Sequence, residues 1–316
     1  LADKNSATTG GCTGIAIVAS SNSTILDTCT ATSTSSTKTA TTFSTAGINI
    51  DASSSCKLLN CTVGENTCSG TTGNVAGIAL TSTCQSTLLT NCSSDHNTST
   101  STGSVYGFYQ ATASGTRYLN CQARNNNNNT GTSANVAGFY STTTGYANEY
   151  TNCFANNNSL TASGATGTAA GIWLVGEARS QINGCDCSAN YGGSTPIASQ
   201  TSYGVYLQTS CSNTTIKDSS FKFNTGYLNY GFYDDACDTT SVLINNVAIG
   251  QGRCIALLTS SFQFPTGTSM NYYFKFTGDQ ENPANMIHET DNFNWQTVST
   301  AVQNWSNISV AVGEVS

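Results

Sequence analysis

The most closely spaced acidic residues lie in the segment GFYDDACDTT, which holds Asp234, Asp235 and Asp238. Two or three carboxylates on one face are the groups that glycoside hydrolysis needs, and carboxylate oxygens also bind hard cations such as Ca²⁺. These three residues are therefore the candidates for catalysis or for a cation site. A third interpretation, which we favour, is an acidic turn in contact with solvent.

The sequence contains few residues that could support other kinds of catalysis or bind a metal ion or a phosphate group. The chain of 316 residues has 10 Lys and Arg residues in total and two histidines, His96 and His288, far apart in the sequence. The spacing of Cys185 and Cys187 is not one that binds zinc. No glycine-rich loop opens a helix to bind phosphate. We therefore predict a protein that is not an enzyme and that has no metal site and no cofactor.

Two short apolar segments recur along the chain and would have to position any functional residue. The first begins at a glycine and recurs every 24 to 33 residues. Eight copies follow one another in order, and a degenerate ninth copy begins at Ile255. The eight copies are Gly14-Ile-Ala-Ile, Gly47-Ile-Asn-Ile, Gly77-Ile-Ala-Leu, Gly107-Phe-Tyr-Gln, Gly138-Phe-Tyr-Ser, Gly171-Ile-Trp-Leu, Gly204-Val-Tyr-Leu and Gly231-Phe-Tyr-Asp.

The second segment follows the first in each copy, and in the first six copies it ends at a cysteine. Polar stretches separate it from the next copy, and we predict that those such as residues 125–132 form lateral loops. The second segments are Ile25 to Cys29, Leu58 to Cys61, Leu88 to Cys92, Tyr118 to Cys121, Tyr150 to Cys153 and Ile182 to Cys185, followed without cysteine by Ile216 to Phe221 and Leu243 to Val247.

Strands this short cannot bury a face alone, but each can pair with its copy one turn above at about 4.8 Å. The period, together with the lack of long helical patterns, predicts an all-β parallel β-helix of about eight to nine turns over residues 1–262. Residues 263–316 break the repeat and are rich in aromatic residues. We predict that this segment forms a C-terminal β-rich cap, because an open solenoid edge pairs with other chains.

The repeats resemble the right-handed parallel β-helix superfamily, the pectate-lyase-like solenoids, over about residues 11–262. The resemblance rests on the repeated strands and on an asparagine just before the cysteine, at Asn60, Asn91, Asn120 and Asn152. It implies a right-handed coil, in which these amides stack as a ladder at the bends. It implies no single function, since the superfamily includes lyases, hydrolases, phage tailspikes, adhesins and surface proteins. Its polygalacturonase motifs Asn-Thr-Asp, Gly-His-Gly and Arg-Ile-Lys are absent.

Strand alternation assigns the columns of the first segment. The residue after each glycine faces inward, and the next residue faces outward. Five successive turns carry an aromatic residue in this outward column, namely Tyr109, Tyr140, Trp173, Tyr206 and Tyr233. Three roles stay open for this stripe: a ladder of rings under the chain's own C-terminal segment, a subunit interface, or a glycan-binding platform.

The sequence has 14 cysteines, six of which form one column. We predict that this column faces the interior as small apolar residues, because parallel Cβ vectors hold the sulfurs in poor geometry for disulfides. The other eight can form disulfides in an oxidising compartment, and the best candidate pair is Cys211 with Cys237 in adjacent turns. The column consists of Cys29, Cys61, Cys92, Cys121, Cys153 and Cys185.

Composition limits the classes of partner. Only 9% of residues are charged, the net charge is −7, and no basic patch is present, which argues against nucleic acid as a partner. No apolar run is long enough to span a membrane. We predict a secreted structural protein of the extracellular surface that associates with itself in a surface layer, fibre or appendage. The alternatives are a glycan-binding adhesin or tailspike-like fibre, and a polysaccharide-cleaving enzyme.

Overall fold

The structure is a computed structural model of the chain, and its described part contains β-strands and no helix. Each strand pairs in parallel with the equivalent strand one turn away. The described residues are 1–8, 11–37, 45–70, 72–129, 134–142, 146–161, 166–193, 200–226, 228–235, 242–244, 246–249, 253–257, 271–273 and 310–311.

Four parallel sheets form the walls of the coil. The first sheet has nine strands of five to nine residues, which contain the glycine segments of the repeat. These strands are Cys12–Ile17, Thr45–Asp51, Val75–Thr81, Val105–Ala111, Val136–Thr142, Gly167–Val175, Gln200–Gln208, Leu228–Asp235 and Arg253–Leu257.

The second sheet has eight strands of three residues each, and it follows the first sheet along each turn. Its strands are Ile25–Asp27, Lys57–Leu59, Leu88–Thr90, Arg117–Leu119, Glu149–Thr151, Gln181–Asn183, Thr215–Lys217 and Val242–Ile244.

The third and fourth sheets complete the turn with very short strands. The third sheet comprises Ala2–Asp3, Thr30–Thr32, Thr62–Gly64, Ser93–Asp95, Gln122–Arg124 and Phe154–Asn156, and then, after a bridge at Asp186, Ser220–Lys222, Val247–Ile249, Asn271–Tyr273 and Val310–Ala311. The fourth sheet comprises Ser6–Ala7, Ser35–Ser36, Thr67–Cys68, Thr98–Ser99, Asn127–Asn128 and Ser159–Leu160.

The predicted parallel β-helix is confirmed, with a slightly smaller number of turns. Five turns have a strand in all four sheets, and in the next two turns single bridges at Asp186, Tyr191 and Thr225 replace the missing strands. The described residues thus form seven full turns instead of eight to nine. The copies that begin at Gly231 and Ile255 contribute strands to only some of the sheets.

The second segment of the repeat forms parts of two sheets rather than one strand. In the third turn, the strand Leu88–Thr90 is followed by Asn91, whose φ is 52°. The strand Ser93–Asp95 begins after Cys92. A left-handed residue turns the chain sharply, and asparagine tolerates this conformation well. Sequence patterns missed the polar strands beyond this corner, and residues 125–132, predicted as a loop, include the strand Asn127–Asn128.

Inward columns fill the coil with stacked apolar side chains. Phe108 and Phe139 are register partners, and their ring centroids lie 4.6 Å apart in nearly parallel planes. Tyr118 and Tyr150, from the second sheet, stack in the same way at 5.0 Å and contact the phenylalanines edge-on. Because every rung repeats the same column, each ring packs on its own copy one turn away.

The repeat positions require glycine because the first and third sheets approach each other closely at the glycine Cα atoms. A Cβ placed on Gly107 would lie 2.7 Å from the Cβ of Ala123 in the third sheet and 2.7 Å from the Gly138 carbonyl oxygen. Real Cβ atoms do not tolerate such contacts. Close approach, and not a positive φ, therefore requires glycine in this column.

A ladder of buried asparagines runs along the interior of the coil. Each side chain except the last donates from Nδ2 to the Oδ1 of the next asparagine at 2.7 to 3.0 Å, and all six side chains are fully buried. From Asn97 onward, each asparagine except the last also donates its backbone N–H to that same Oδ1. The ladder consists of Asn66, Asn97, Asn126, Asn158, Asn190 and Asn224.

The sequence analysis missed this ladder, although a signal was present. Each of its members lies five residues after a residue of the cysteine column or, for Asn224, after Ser219. A buried amide needs a partner for every donor and acceptor, and an identical amide one rung away supplies one.

The predicted domain boundary at residues 262 and 263 stays a prediction. Of the segment 263–316, the structure describes only Asn271–Tyr273 and Val310–Ala311, which continue the third sheet beyond Val247–Ile249. The rest of the predicted cap lies outside the described residues. No helix in the described part of the chain has the length and the apolar character needed to cross a membrane.

Candidate functional site: an aromatic face on the first sheet

The five predicted aromatic residues lie in one column on the outer side of the first sheet. The register pairs Tyr109 with Tyr140, Tyr140 with Trp173, Trp173 with Tyr206, and Tyr206 with Tyr233. The sequence therefore predicted the column correctly as a set of neighbours one turn apart.

A second column, which the sequence analysis missed, packs beside the first. It lies one residue before each glycine and contains Tyr106, Ala137, Ala170, Tyr203 and Tyr230. Strict alternation would place this residue and the residue two after the glycine on opposite faces of the strand. The glycine and its successor both face the interior, however, so the chain bends there and brings the two columns onto one surface.

Eight rings from the two columns form a continuous surface, which we call the aromatic face. Successive rings have centroid separations of 4.5 to 5.7 Å, in stacked, tilted and edge-on arrangements. Its members span five turns and are Tyr106, Tyr109, Tyr140, Trp173, Tyr203, Tyr206, Tyr230 and Tyr233.

The aromatic face is less exposed than the sequence predicted for an outward stripe. Trp173 is 6% exposed and Tyr206 is 7% exposed, and the three tyrosines of the second column are buried to a similar degree. Tyr109, Tyr140 and Tyr233 are half-buried and provide the accessible part of the surface. Mutual stacking of large rings accounts for part of this burial, because each ring covers a face of its neighbour.

Polar side chains at the end of the strands hold two of the rings. The Trp173 Nε1–H donates to Gln208 Oε1 at 3.0 Å, and the Tyr206 hydroxyl donates to Asp235 Oδ2 at 3.2 Å. Gln208 and Asp235 are register partners on adjacent strands. Burial, with the nearby tyrosines and the Asp235 charge adding to it, raises the pKa of Tyr206 well above its usual range. The phenol therefore stays protonated and remains a hydrogen-bond donor.

The acidic cluster does not form a pair of carboxylates on one surface. Asp234 pairs in register with Leu207 of the inward column and is fully buried, whereas Asp235 pairs with Gln208 at the outer edge. Consecutive residues of a strand point to opposite faces, so the two groups lie on different sides of the sheet. Asp238 lies outside the described residues. The expected solvated acidic turn therefore does not apply to Asp234.

The cysteine column lies inside the coil, as predicted. Cys61, Cys92, Cys121, Cys153 and Cys185 are buried free thiols, and Cys29 in the first turn is half-buried. Each of the five buried thiols donates to the carbonyl two residues before it and to a carbonyl of the preceding turn, at 3.3 to 3.6 Å. The hydrogen bond with Cys121 and burial raise the pKa of Cys92 to about 12.

The predicted disulfide partner Cys211 has a free thiol. Its Sγ donates to the carbonyl oxygens of Leu174 and Gln208, at 3.5 and 3.4 Å. Cys237, the other member of the predicted pair, lies outside the described residues. Cys211 is thus a buried residue with backbone partners, and its predicted pairing with Cys237 stays a prediction.

The outer asparagine column lies at the corner between the second and third sheets. Asn91 donates to Asn60 at 3.1 Å, and Asn120 donates to Asn91 at 3.3 Å, while Asn60 donates to Asp27 in the first turn. Asn152 has the same left-handed backbone, with a φ of 51°. All four side chains are exposed, in contrast to the buried ladder.

The described part of the chain does not bring together side chains that could bind a metal ion. No group of three or more His, Cys, Asp or Glu side chains comes together there in a way that could hold an ion. The three salt bridges between described residues, such as Arg117 with Glu149 at 2.7 Å, lie on the outside of the coil.

Comparison with known proteins adds little to this description. No family model matches the chain, and no curated protein matches it. Among solved structures, the A-module of the mannuronan C-5 epimerase AlgE6 from Azotobacter vinelandii is similar at 12% sequence identity. The match covers 88% of this chain and 85% of that chain, with a TM-score of 0.31.

Proposed function

We propose that the chain is a non-enzymatic structural protein of the extracellular surface, a subunit that associates with copies of itself in a layer, fibre or appendage. The observation that carries this proposal is the aromatic face, which extends along five turns of the coil and whose accessible part consists of Tyr109, Tyr140 and Tyr233. Large apolar patches on soluble proteins usually mark interaction surfaces.

The arrangement of the rings supports association more than chemistry. Tyr109, Tyr140 and Tyr233 keep accessible surface, and each is held by contacts with neighbouring rings. Fixed aromatic side chains lose little conformational entropy when a partner covers them, which favours binding. The two described aspartates of the acidic cluster point to opposite sides of the sheet, which disfavours a two-carboxylate mechanism.

A second candidate function, glycan binding, is favoured by the polar groups at the edge of the same surface. Gln208 and Asp235 place amide and carboxylate groups beside Trp173 and Tyr206. Flat rings stack on the apolar faces of sugars, and such edge groups bind sugar hydroxyls. This alternative uses the same residues, so the two functions need an experiment that separates them.

Substitution of the half-buried rings tests both functions. The variant Tyr140→Ser with Tyr233→Ser removes accessible rings, and Tyr146→Ser removes an exposed tyrosine outside the aromatic face as a matched control. Light scattering over a range of concentrations and electron microscopy measure assembly, and a glycan array measures binding. We expect assembly of the wild type and of the control, and loss of assembly in the double variant.

Two other results would redirect the proposal. A wild-type chain that stays monomeric at every concentration contradicts self-association. Glycan binding that is lost in the double variant and kept in Tyr146→Ser would establish the second candidate function instead.

A further inference from the structure

Glu177 is a buried acid in the interior of the coil. It lies four residues before a second-sheet strand, between Gly167–Val175 and Gln181–Asn183, and it is fully buried. In other turns the equivalent position holds a small buried residue, as at Cys84, Ala113 and Cys211. The close-packed core of a repeat protein therefore contains a carboxyl group at one turn where the equivalent positions at Cys84, Ala113 and Cys211 have none.

Three side chains from two successive turns hydrogen-bond to this carboxyl group. Asn148 Nδ2 donates to Oε1 at 2.9 Å, and the Ser141 hydroxyl contacts the same oxygen. The Ser180 hydroxyl contacts Oε2. Ser141 lies in the strand Val136–Thr142 of the first sheet, one residue before its end, whereas Asn148 and Ser180 directly precede strands of the second sheet. Glu177 thus joins the two sheets at their corner and joins one turn to the next.

The polar cluster continues into the turn below. The Tyr118 hydroxyl donates to Gln110 Oε1 at 3.0 Å, and Gln110 Nε2 donates to the Ala113 carbonyl oxygen at 2.8 Å. The Thr116 backbone N–H donates to Asn148 Oδ1 at 2.9 Å. The hydrogen bonds from Thr116 through Asn148 to Glu177 thus span three turns, and the pair formed by Tyr118 and Gln110 lies in the lowest of these turns.

No basic side chain in the described part of the chain compensates a charge on Glu177. The charge of Glu177 acts on Tyr118 and Tyr150, from two strands of the second sheet. Burial, followed by the Glu177 charge, raises the pKa of both phenols well above the usual range. Both therefore stay neutral throughout the pH range in which a carboxyl titrates.

We propose that the protonation state of Glu177 controls the stability of the central turns of the coil. These turns are most stable against unfolding when Glu177 is protonated. A protonated carboxyl can both donate and accept, and it satisfies the surrounding hydroxyl and amide groups without a net charge. Ionisation leaves a negative charge in the core with hydrogen bonds but no counter-ion. This inference does not depend on the proposed function.

The direction of the pH effect follows from linkage. Burial raises the pKa of Glu177 above its ordinary 4.5, although the hydrogen bonds from Ser141, Ser180 and Asn148 oppose this shift. The folded state then keeps a proton that the unfolded state loses. The stabilisation is complete below pH 4.5, and it is lost as the pH rises through the folded-state pKa.

Equilibrium unfolding in urea over the range from about pH 4 to about pH 9 tests the proposal. In the wild type, we expect the unfolding constant to rise about tenfold per pH unit between the unfolded and folded pKa values of Glu177. Glu177→Gln should lack this component, because an amide of the same shape does not ionise. Glu149→Gln, which changes a half-buried glutamate on the outside of a neighbouring strand, should keep the wild-type pH dependence.

A second measurement on the wild type covers the case in which Glu177→Gln does not fold. In infrared spectra, a buried protonated carboxyl has a C=O stretching band that disappears on ionisation. Asp234 is also fully buried, so the band is measured in Asp234→Asn as well as in the wild type, and we expect it to persist in both at a pH at which exposed carboxyls are ionised. The same pH dependence in the wild type and in Glu177→Gln, or the absence of a persistent carboxyl band, overturns the proposal.

Discussion

Asn97 donates from its side-chain Nδ2 to Asn126 Oδ1 at 2.7 Å, one turn away in the interior of the coil. The Asn97 backbone N–H donates to the same oxygen at 3.2 Å. One amide oxygen thus satisfies two donors of the neighbouring turn, and the pair is a single step of the buried ladder. Because both asparagines are inaccessible to water, solvent cannot replace these hydrogen bonds if they are lost.

Asn126→Ala is therefore expected to destabilise the fold by about 3 kcal/mol, because it leaves two buried donors of Asn97 without an acceptor. The control is Asn120→Gly in the exposed column, which keeps the left-handed backbone and should change stability by less than about 0.5 kcal/mol. Urea unfolding followed by Trp fluorescence measures both. Equal losses of stability in the two variants would contradict the conclusion that the buried ladder stabilises the fold more than the exposed asparagine column.

Gly107→Ala should destabilise the coil by about 3 kcal/mol, because the new methyl group meets Ala123 and the Gly138 carbonyl at 2.7 Å each. Combination with Ala123→Gly should recover only part of the loss, since the contact with the backbone oxygen remains. A double-mutant cycle of unfolding free energies measures this coupling. Simple additivity of the two substitutions would show that Ala123 is not the group that excludes a Cβ.

Tyr206 allows the ring and its hydroxyl to be tested separately. Tyr206→Phe removes the hydrogen bond to Asp235 and should cost about 1 kcal/mol. Tyr206→Ala also removes a ring that packs against Trp173, Tyr203 and Tyr233, and should cost about 3 to 4 kcal/mol. Thermal unfolding should rank the variants in this order, and a cost in Tyr206→Phe as large as in Tyr206→Ala would assign the stabilisation to the hydroxyl.

The buried thiols should resist alkylation in the native protein. Cys92, Cys121 and Cys153 lie inside the coil, where an alkylating reagent does not reach them, and the pKa of Cys92, raised to about 12, further lowers its own thiolate fraction at mildly alkaline pH. Of the cysteines whose burial the structure describes, Cys29, which is half-buried, should react first. Mass spectrometry of peptides after brief treatment with iodoacetamide, with and without denaturant, measures the order. Modification of Cys121 as fast as Cys29 would show that the turns open in the native state.

Repetition made the fold predictable from the sequence. A strand that must pair with its own copy one turn away repeats its inward and outward residues, and so the glycine, cysteine and aromatic columns are visible as regular spacings. The inward position of Cys92 and the stacking of Tyr140 on Tyr109 follow from this regularity alone. Polar strands such as Asn127–Asn128 were missed because hydrophobic alternation does not mark them.

The sequence by itself determined the coil and the neighbours that each column has along its axis. Only the tertiary structure decided which columns meet across a bend, because the close approach of two sheets turns the chain at Gly107 and brings Tyr106 beside Tyr109. It also decided that Asp234 faces the core while Asp235 reaches Tyr206. Burial depends on the packing of segments distant in sequence, and local patterns do not contain that information.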